Sequence, residues 1–153
     1  MSKLYIATRY VADIPYNYSH LYLVYDPDDN PSNDNERVIS GASSDTNFSG
    51  VLWGQTNFGD LLVKIDTPIN SAGLDALNGD SVAERYYTSL DIFGLQTDNV
   101  WGYMVGHSTA IHNAELDYTF SYDGFLNIIA AQNSNSLIAS VLTALGLDST
   151  QLE

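Results

Sequence analysis

Asn133-Ser134-Asn135-Ser136-Leu137-Ile138-Ala139-Ser140-Val141-Leu142-Thr143-Ala144-Leu145-Gly146 is the stretch on which the fold turns. Its apolar residues Leu137, Ile138, Val141, Leu142 and Leu145 fall on one stripe of a helix and nowhere near the alternation of a strand. Asn133 to Ser136 supplies the side-chain oxygens that cap a helix start, and Gly146 stands where a helix ends. A second helical face precedes it: Val100, Trp101, Met104, Val105 and Ile111 keep helical spacing up to about His112, with Thr97-Asp98 as the expected cap.

Upstream of Thr97 the period shortens to that of strands. Leu4 to Arg9 alternates, Leu21-Tyr22-Leu23-Val24-Tyr25 is a near-continuous β-prone run, and Val38-Ile39 resumes after the turn-rich segment Asp26 to Glu36. A hairpin of Leu21–Tyr25 with the Val38-Ile39 strand is the simplest pairing. A Gly/Ser-rich loop from Gly41 to Gly50 leads to Leu61–Ile65, stopped by Pro68; Ser71 to Asp80 reads as a surface loop and Arg85 to Leu90 as a further strand. Strands first and helices last predict an α+β domain, its mostly antiparallel sheet packed against two C-terminal helices. With no internal repeat and no linker, residues 1–153 are expected to form a single domain.

Composition narrows the function classes. The chain has 153 residues, 44% hydrophobic and 16% charged, so it can build a core and is not an acidic disordered tail. Five Lys+Arg against 19 Asp+Glu give a formal net charge of −14, which excludes a nucleic-acid binder working by phosphate neutralisation and disfavours an anionic membrane surface. Apolar runs are too short for a membrane span, and Met1 to Tyr5 lacks the apolar run of a signal peptide, so a soluble domain is expected, its compartment unread. Cysteine is absent, which removes disulfides, thiolate metal sites and a cysteine nucleophile.

No metal or cofactor is expected. Asp26, Asp28, Asn30, Ser32 and Asp34 alternate as in a calcium loop, but Pro31 replaces the turn glycine and Arg37 the bidentate Glu. His107 and His112 lie about 140° apart around a helix and do not share a face. The nucleophile-elbow, phosphate-loop and dinucleotide patterns are missing. What remains is His20, at the start of the strand Leu21–Tyr25, and Ser134, at a helix start whose dipole and free N–H groups favour a developing oxyanion. A strand histidine as base and a helix-start hydroxyl as nucleophile is one arrangement of an acyl-transfer site. The structural alternative is equally explicit: Ser and Asn before an apolar helix are preferred caps. Tyr16, Tyr18 and Tyr22 are candidates to line a groove near His20.

Read together, Ser19-His20-Leu21-Tyr22-Leu23-Val24-Tyr25, Val38-Ile39-Ser40-Gly41 and Gln132-Asn133-Ser134-Asn135-Ser136-Leu137 give an order that resembles circularly permuted papain-like domains. These form the branch of the NlpC/P60 superfamily that includes the lecithin:retinol acyltransferase-like proteins. The resemblance extends to a compact bacterial group with a histidine strand and a late Asn-Ser-Asn-Ser helix start. It implies His20 at the catalytic histidine position, Asn133-Ser134 at the family's Asn-Cys pair, and Ser40 as the nearest counterpart of the polar residue that orients the histidine. Asn133 or Asn135 would shape the oxyanion hole.

Ser134 departs from the family at its nucleophile. Three accounts follow: a natural serine variant, a domain that has lost catalysis and binds, or an exchange of Cys for Ser that traps an inactive form. Two functions are therefore carried forward. One is hydrolysis or transfer at an amide or ester bond through His20 and Ser134, on a small-molecule, peptide or glycan substrate. The other is a catalytically inactive papain-like domain that binds a peptide or glycan. A third, an acidic partner that neutralises a basic toxin, rests on charge alone.

Overall fold

The fold was obtained as a computed structural model, which describes residues 1–10, 19–30, 35–45, 57–69, 86–119, 122–123, 127–128 and 133–147. The strands are β1 (Lys3–Tyr10), β2 (Ser19–Asp26), β3 (Arg37–Ser43), β4 (Asn57–Pro68), β5 (Tyr86–Ser89) and β6 (Asp117–Thr119), followed by the short pair β7 (Tyr122–Asp123) and β8 (Asn127–Ile128). The helices are α1 (Thr97–Asn113), between β5 and β6, and α2 (Ser134–Ala144). One six-stranded sheet runs in the order β5-β1-β2-β3-β4-β6, and each of its pairs is antiparallel. The α+β class and the β2–β3 hairpin follow the expectation. The loop at Ser71 to Asp80, the groove tyrosines Tyr16 and Tyr18, Gln132, and Pro31, Ser32 and Asp34 of the calcium-like loop lie outside the described residues.

Strand alternation divides the sheet into two apolar faces. On one, Leu4, Ile6, Leu23 and Ile39 pack with Val100, Trp101 and Met104 of α1 and with Leu137, Ile138, Val141 and Leu142 of α2. On the other, Ala7, Tyr22, Val24, Val38 and Ile69 form a second cluster, joined by Tyr5 and Tyr87. β2 therefore sends Leu21, Leu23 and Tyr25 toward the helices and Tyr22 and Val24 away from them.

The two helix starts differ from each other. Asn133 caps α2 as expected, its side chain accepting from the N–H groups of Asn135 and Ser136 while Ser136 Oγ accepts from the Asn133 N–H, a reciprocal capping box. At the other end Gly146 takes φ 68°, Leu147 N–H bonds the Leu142 carbonyl and Gly146 N–H that of Thr143. This closes α2 in a Schellman turn whose Leu147 is buried in the core.

α1 instead begins after Gln96, which makes no side-chain cap bond. The expected cap, Thr97, is already helical, and its hydroxyl donates to the carbonyl of Ser2 at the foot of β1. Tertiary anchoring replaces the local cap here. Further along, Trp101 stacks on Tyr25 with ring centroids 5.5 Å apart and donates from Nε1 to Asp66 at 2.9 Å. Asp66 holds a positive φ of 49° and also receives the Arg37 guanidinium, so one carboxylate ties β3, β4 and α1 together.

Candidate functional site

Where the β2–β3 ladder stops, at Tyr22 opposite Ser40, the N-terminus of α2 takes over. The next N–H of β2, that of Leu21, donates to Asn135 Oδ1 at 3.0 Å. One strand over, Gly41 lies directly beneath the helix start: a Cβ there would come within 3.1 Å of the Ser134 Cα and 3.2 Å of the Leu137 side chain. The absence of a side chain at Gly41 thus lets the helix start settle on the sheet. Three of the expected site residues, Asn133, Ser134 and Asn135, are brought together with Leu21 and Gly41.

His20, Tyr22 and Ser40 form a second group. Tyr22 belongs to the cluster on the sheet face away from the helices, and His20 precedes it by two, with ring centroids 6.2 Å apart. Ser40 is the cross-strand partner of Tyr22, and so on the same face, whereas Gly41 faces α2. Alternation along β2 therefore aims His20 away from α2, on the face opposite the one that carries Ser134. Strand position decides this: a histidine at Leu21 would face the helix start, and one at position 20 does not.

Burial adds to the separation. Ser134 is 0% exposed and Tyr22 is 0% exposed, and His20, Ser40 and Asn133 are also buried. Asn135, half-buried, spends its side-chain oxygen on Leu21 N–H and stands 3.4 Å from Ser134 Oγ, which donates toward it. The three polar residues at the helix start act as joinery between helix and sheet. Tyr22 is core rather than a groove wall.

A histidine and a serine do meet elsewhere. His107 Nε2 and Ser140 Oγ lie 3.1 Å apart, bridging α1 and α2. Both sit in mid-helix, where backbone N–H groups are committed to helical bonds and none is left to hold an oxyanion. The pair clamps two helices. Its signal in the sequence was only that His107 and Ser140 each occupy the edge of an apolar stripe, which many residues do. Among the described residues no group of three or more His, Asp or Glu side chains is placed to hold a metal ion. No described helix is long and apolar enough to cross a membrane.

No family model, no curated protein and no solved structure matches this chain.

Proposed function

We propose that this domain is a non-catalytic binding module that recognises a polypeptide partner, and that the resemblance to papain-like hydrolases does not extend to their chemistry. One observation carries the reading: the alternation of β2 directs Leu21 and Leu23 at α2 and sends His20 with Tyr22 to the other face. A general base has to come within hydrogen-bond reach of its nucleophile, directly or through one water. Placement on opposite faces of the sheet, as strand parity assigns it, supports a reading without that proton transfer. The burial of Ser134 and the commitment of Asn133 and Asn135 to capping and to Leu21 give those residues a structural purpose that needs no substrate.

The positive side of the reading is the outer surface. Phe93, Leu95 and Tyr103 are among the most exposed large apolar residues of the described chain. Aromatic side chains are enriched at protein–protein interfaces relative to the rest of the surface, which supports this reading. The reading is tested with a fluorophosphonate probe and a panel of activated esters on the folded protein. The expected outcome is no labelling and no turnover above the Ser134→Ala variant. Stoichiometric labelling at Ser134 that His20→Ala abolishes would restore the hydrolase.

A further inference from the structure

β2 turns Leu21, Leu23 and Tyr25 toward the helices, and Tyr25, the last of that series, meets Trp101 of α1. The two rings stack with an interplanar angle of 21° and centroids 5.5 Å apart. Both polar hydrogens of the pair end on carboxylates. The Tyr25 hydroxyl donates to Asp98 Oδ1 at 2.9 Å, and the Trp101 indole N–H donates to Asp66 Oδ1 at 2.9 Å.

The two carboxylates stand differently. Asp66 receives the Arg37 guanidinium on both of its oxygens, which holds it in place beside the indole. Asp98 is exposed at the start of α1, where the oxygen that meets Tyr25 also accepts from Ser2 Oγ at 3.0 Å. A neutral acceptor or a water would satisfy the phenol as a hydrogen bond; a carboxylate adds a base. Burial, then the bond to Asp98 and its negative charge, raise the Tyr25 pKa above the ordinary 10.0. At neutral pH the phenol therefore keeps its proton, and that proton points at the Asp98 carboxylate.

A base in that place matters for one kind of chemistry. The chain has no cysteine, so indole and phenol are its side chains most open to loss of a single electron. Losing an electron makes a phenol strongly acidic, and its oxidation is easy only where a base takes the proton as the electron leaves. We propose that Trp101, Tyr25 and Asp98 form a relay for one-electron oxidation, in which the phenol fills an electron hole on the indole and its proton leaves through Asp98. An external one-electron oxidant, a small inorganic radical, takes an electron from Trp101 and becomes its anion, while the indole N–H proton passes to Asp66. Tyr25 then gives an electron to the indolyl radical, its O–H bond breaks toward Asp98, and the proton on Asp66 returns to Trp101 Nε1. Asp98 hands its proton to water. In sum, one electron goes to the oxidant, one proton goes to solvent, and a Tyr25 phenoxyl radical remains. Trp101 is 7% exposed and shares the core cluster with Met104, so the relay draws the radical from the core toward its edge. The inference goes beyond the binding reading and does not depend on it.

The test is pulse radiolysis of the full chain with azide radical as the oxidant. The sequence has two tryptophans, and Trp53→Phe leaves Trp101 as the one indole. The expected result is a decay of the indolyl absorption matched by growth of the phenoxyl absorption, at a rate independent of protein concentration and lower in heavy water. Tyr25→Phe keeps the stacked ring and should abolish this phase. Asp98→Asn keeps an acceptor without a base and should slow the phase by on the order of a hundredfold, as for loss of a positioned proton acceptor. If Trp53→Phe does not fold, wild type and Tyr25→Phe are compared directly, and the relay is the fast component of indolyl decay that Tyr25→Phe lacks. Indolyl decay unaltered by Tyr25→Phe overturns the proposal. A rate unaltered by Asp98→Asn overturns it as well, because the proton then leaves by another route.

Discussion

The backbone N–H of Leu21 donates to the side-chain oxygen of Asn135, 3.0 Å away and 114 residues further along the chain. A side chain on a helix thereby completes a strand's hydrogen bonding at the point where the neighbouring strand leaves. The bond ties the first turn of α2 to β2. It also engages the side-chain oxygen of the residue next to Ser134.

Removing that acceptor leaves a part-buried donor unmet. Asn135→Ala is expected to destabilise the protein by about 1–2 kcal/mol, read as a lower urea midpoint at unchanged slope. Asn135→Asp keeps an acceptor and should cost less. The local signature is faster exchange of the Leu21 amide, which a substitution acting only on helix propensity would leave alone. An unchanged Leu21 amide in Asn135→Ala would remove the structural role assigned to this pair.

Asn133 makes two bonds from one oxygen, 2.9 Å to Asn135 N and 3.1 Å to Ser136 N, and its own N–H is met by Ser136 Oγ at 2.8 Å. Asn133→Ala should cost about 1 kcal/mol, as for other capping residues, and Asn133→Ser or Asn133→Asp a fraction of that. Thermal or urea unfolding of the three variants gives the ranking. A rank order with Asp or Ser no better than Ala would mean that Asn133 matters for something other than its cap.

Gly41→Ala probes how closely the helix sits on β3. The added methyl would meet the Ser134 Cα at 3.1 Å, and the side chains of Leu137 and Leu61 at 3.2 Å each. Leucine side chains can rotate aside, but a helix backbone has to move as a body. The variant is expected to lose about 1–3 kcal/mol through overpacking, with the N-terminus of α2 displaced outward and the Leu21–Asn135 bond lengthened. Wild-type stability in Gly41→Ala would show that the helix start has room that the static packing does not suggest.

These three positions show what could be read from the sequence and what could not. α2 was legible because its stripe, its cap and its glycine stop are local signals that all agree with the final packing. The mostly antiparallel character of the sheet and the β2–β3 hairpin were legible from short β-prone runs separated by turn residues, whereas the places of β5 beside β1 and β6 beside β4 rest on pairings between distant segments that no local signal gives. The cap of α1 was misjudged at Thr97, whose hydroxyl bonds the Ser2 carbonyl, a partner 95 residues away that no local rule anticipates. The candidate pair His20 and Ser134 was chosen by residue type and order, and neither carries the parity of a strand. Which face a strand residue takes depends on which neighbours become core, and the near-continuous apolar run Leu21–Tyr25 is apolar on both faces, so alternation in the sequence alone does not assign the face of His20. Phe93 was invisible for a different reason: exposure of an apolar residue is a property of the assembled surface.

The far face of the sheet makes its own prediction about pH. Tyr5 packs against Tyr87 with ring centroids 5.4 Å apart, and its hydroxyl donates to Asp29 Oδ1 at 3.1 Å. Burial first, then the hydrogen bond to Asp29 and the negative charges of Asp29, Asp26 and Glu36, push its pKa from the ordinary 10.0 up to about 12. In the unfolded chain the phenol ionises near its ordinary value, whereas in the folded chain it stays neutral well above that. The folded state therefore binds the extra proton between roughly pH 10 and 12, and stability falls as pH rises through that window. Below pH ~10 both states hold the proton, and the contribution is fully present. Tyr5→Phe retains the ring contact and deletes the ionisable group. The stability difference between wild type and Tyr5→Phe, from urea midpoints, should be constant up to about pH 10 and shrink steadily toward pH 12. A difference that stays flat through that range would mean that the Tyr5–Asp29 bond does not persist in solution, and the acidic end of β2 would have to be described without it.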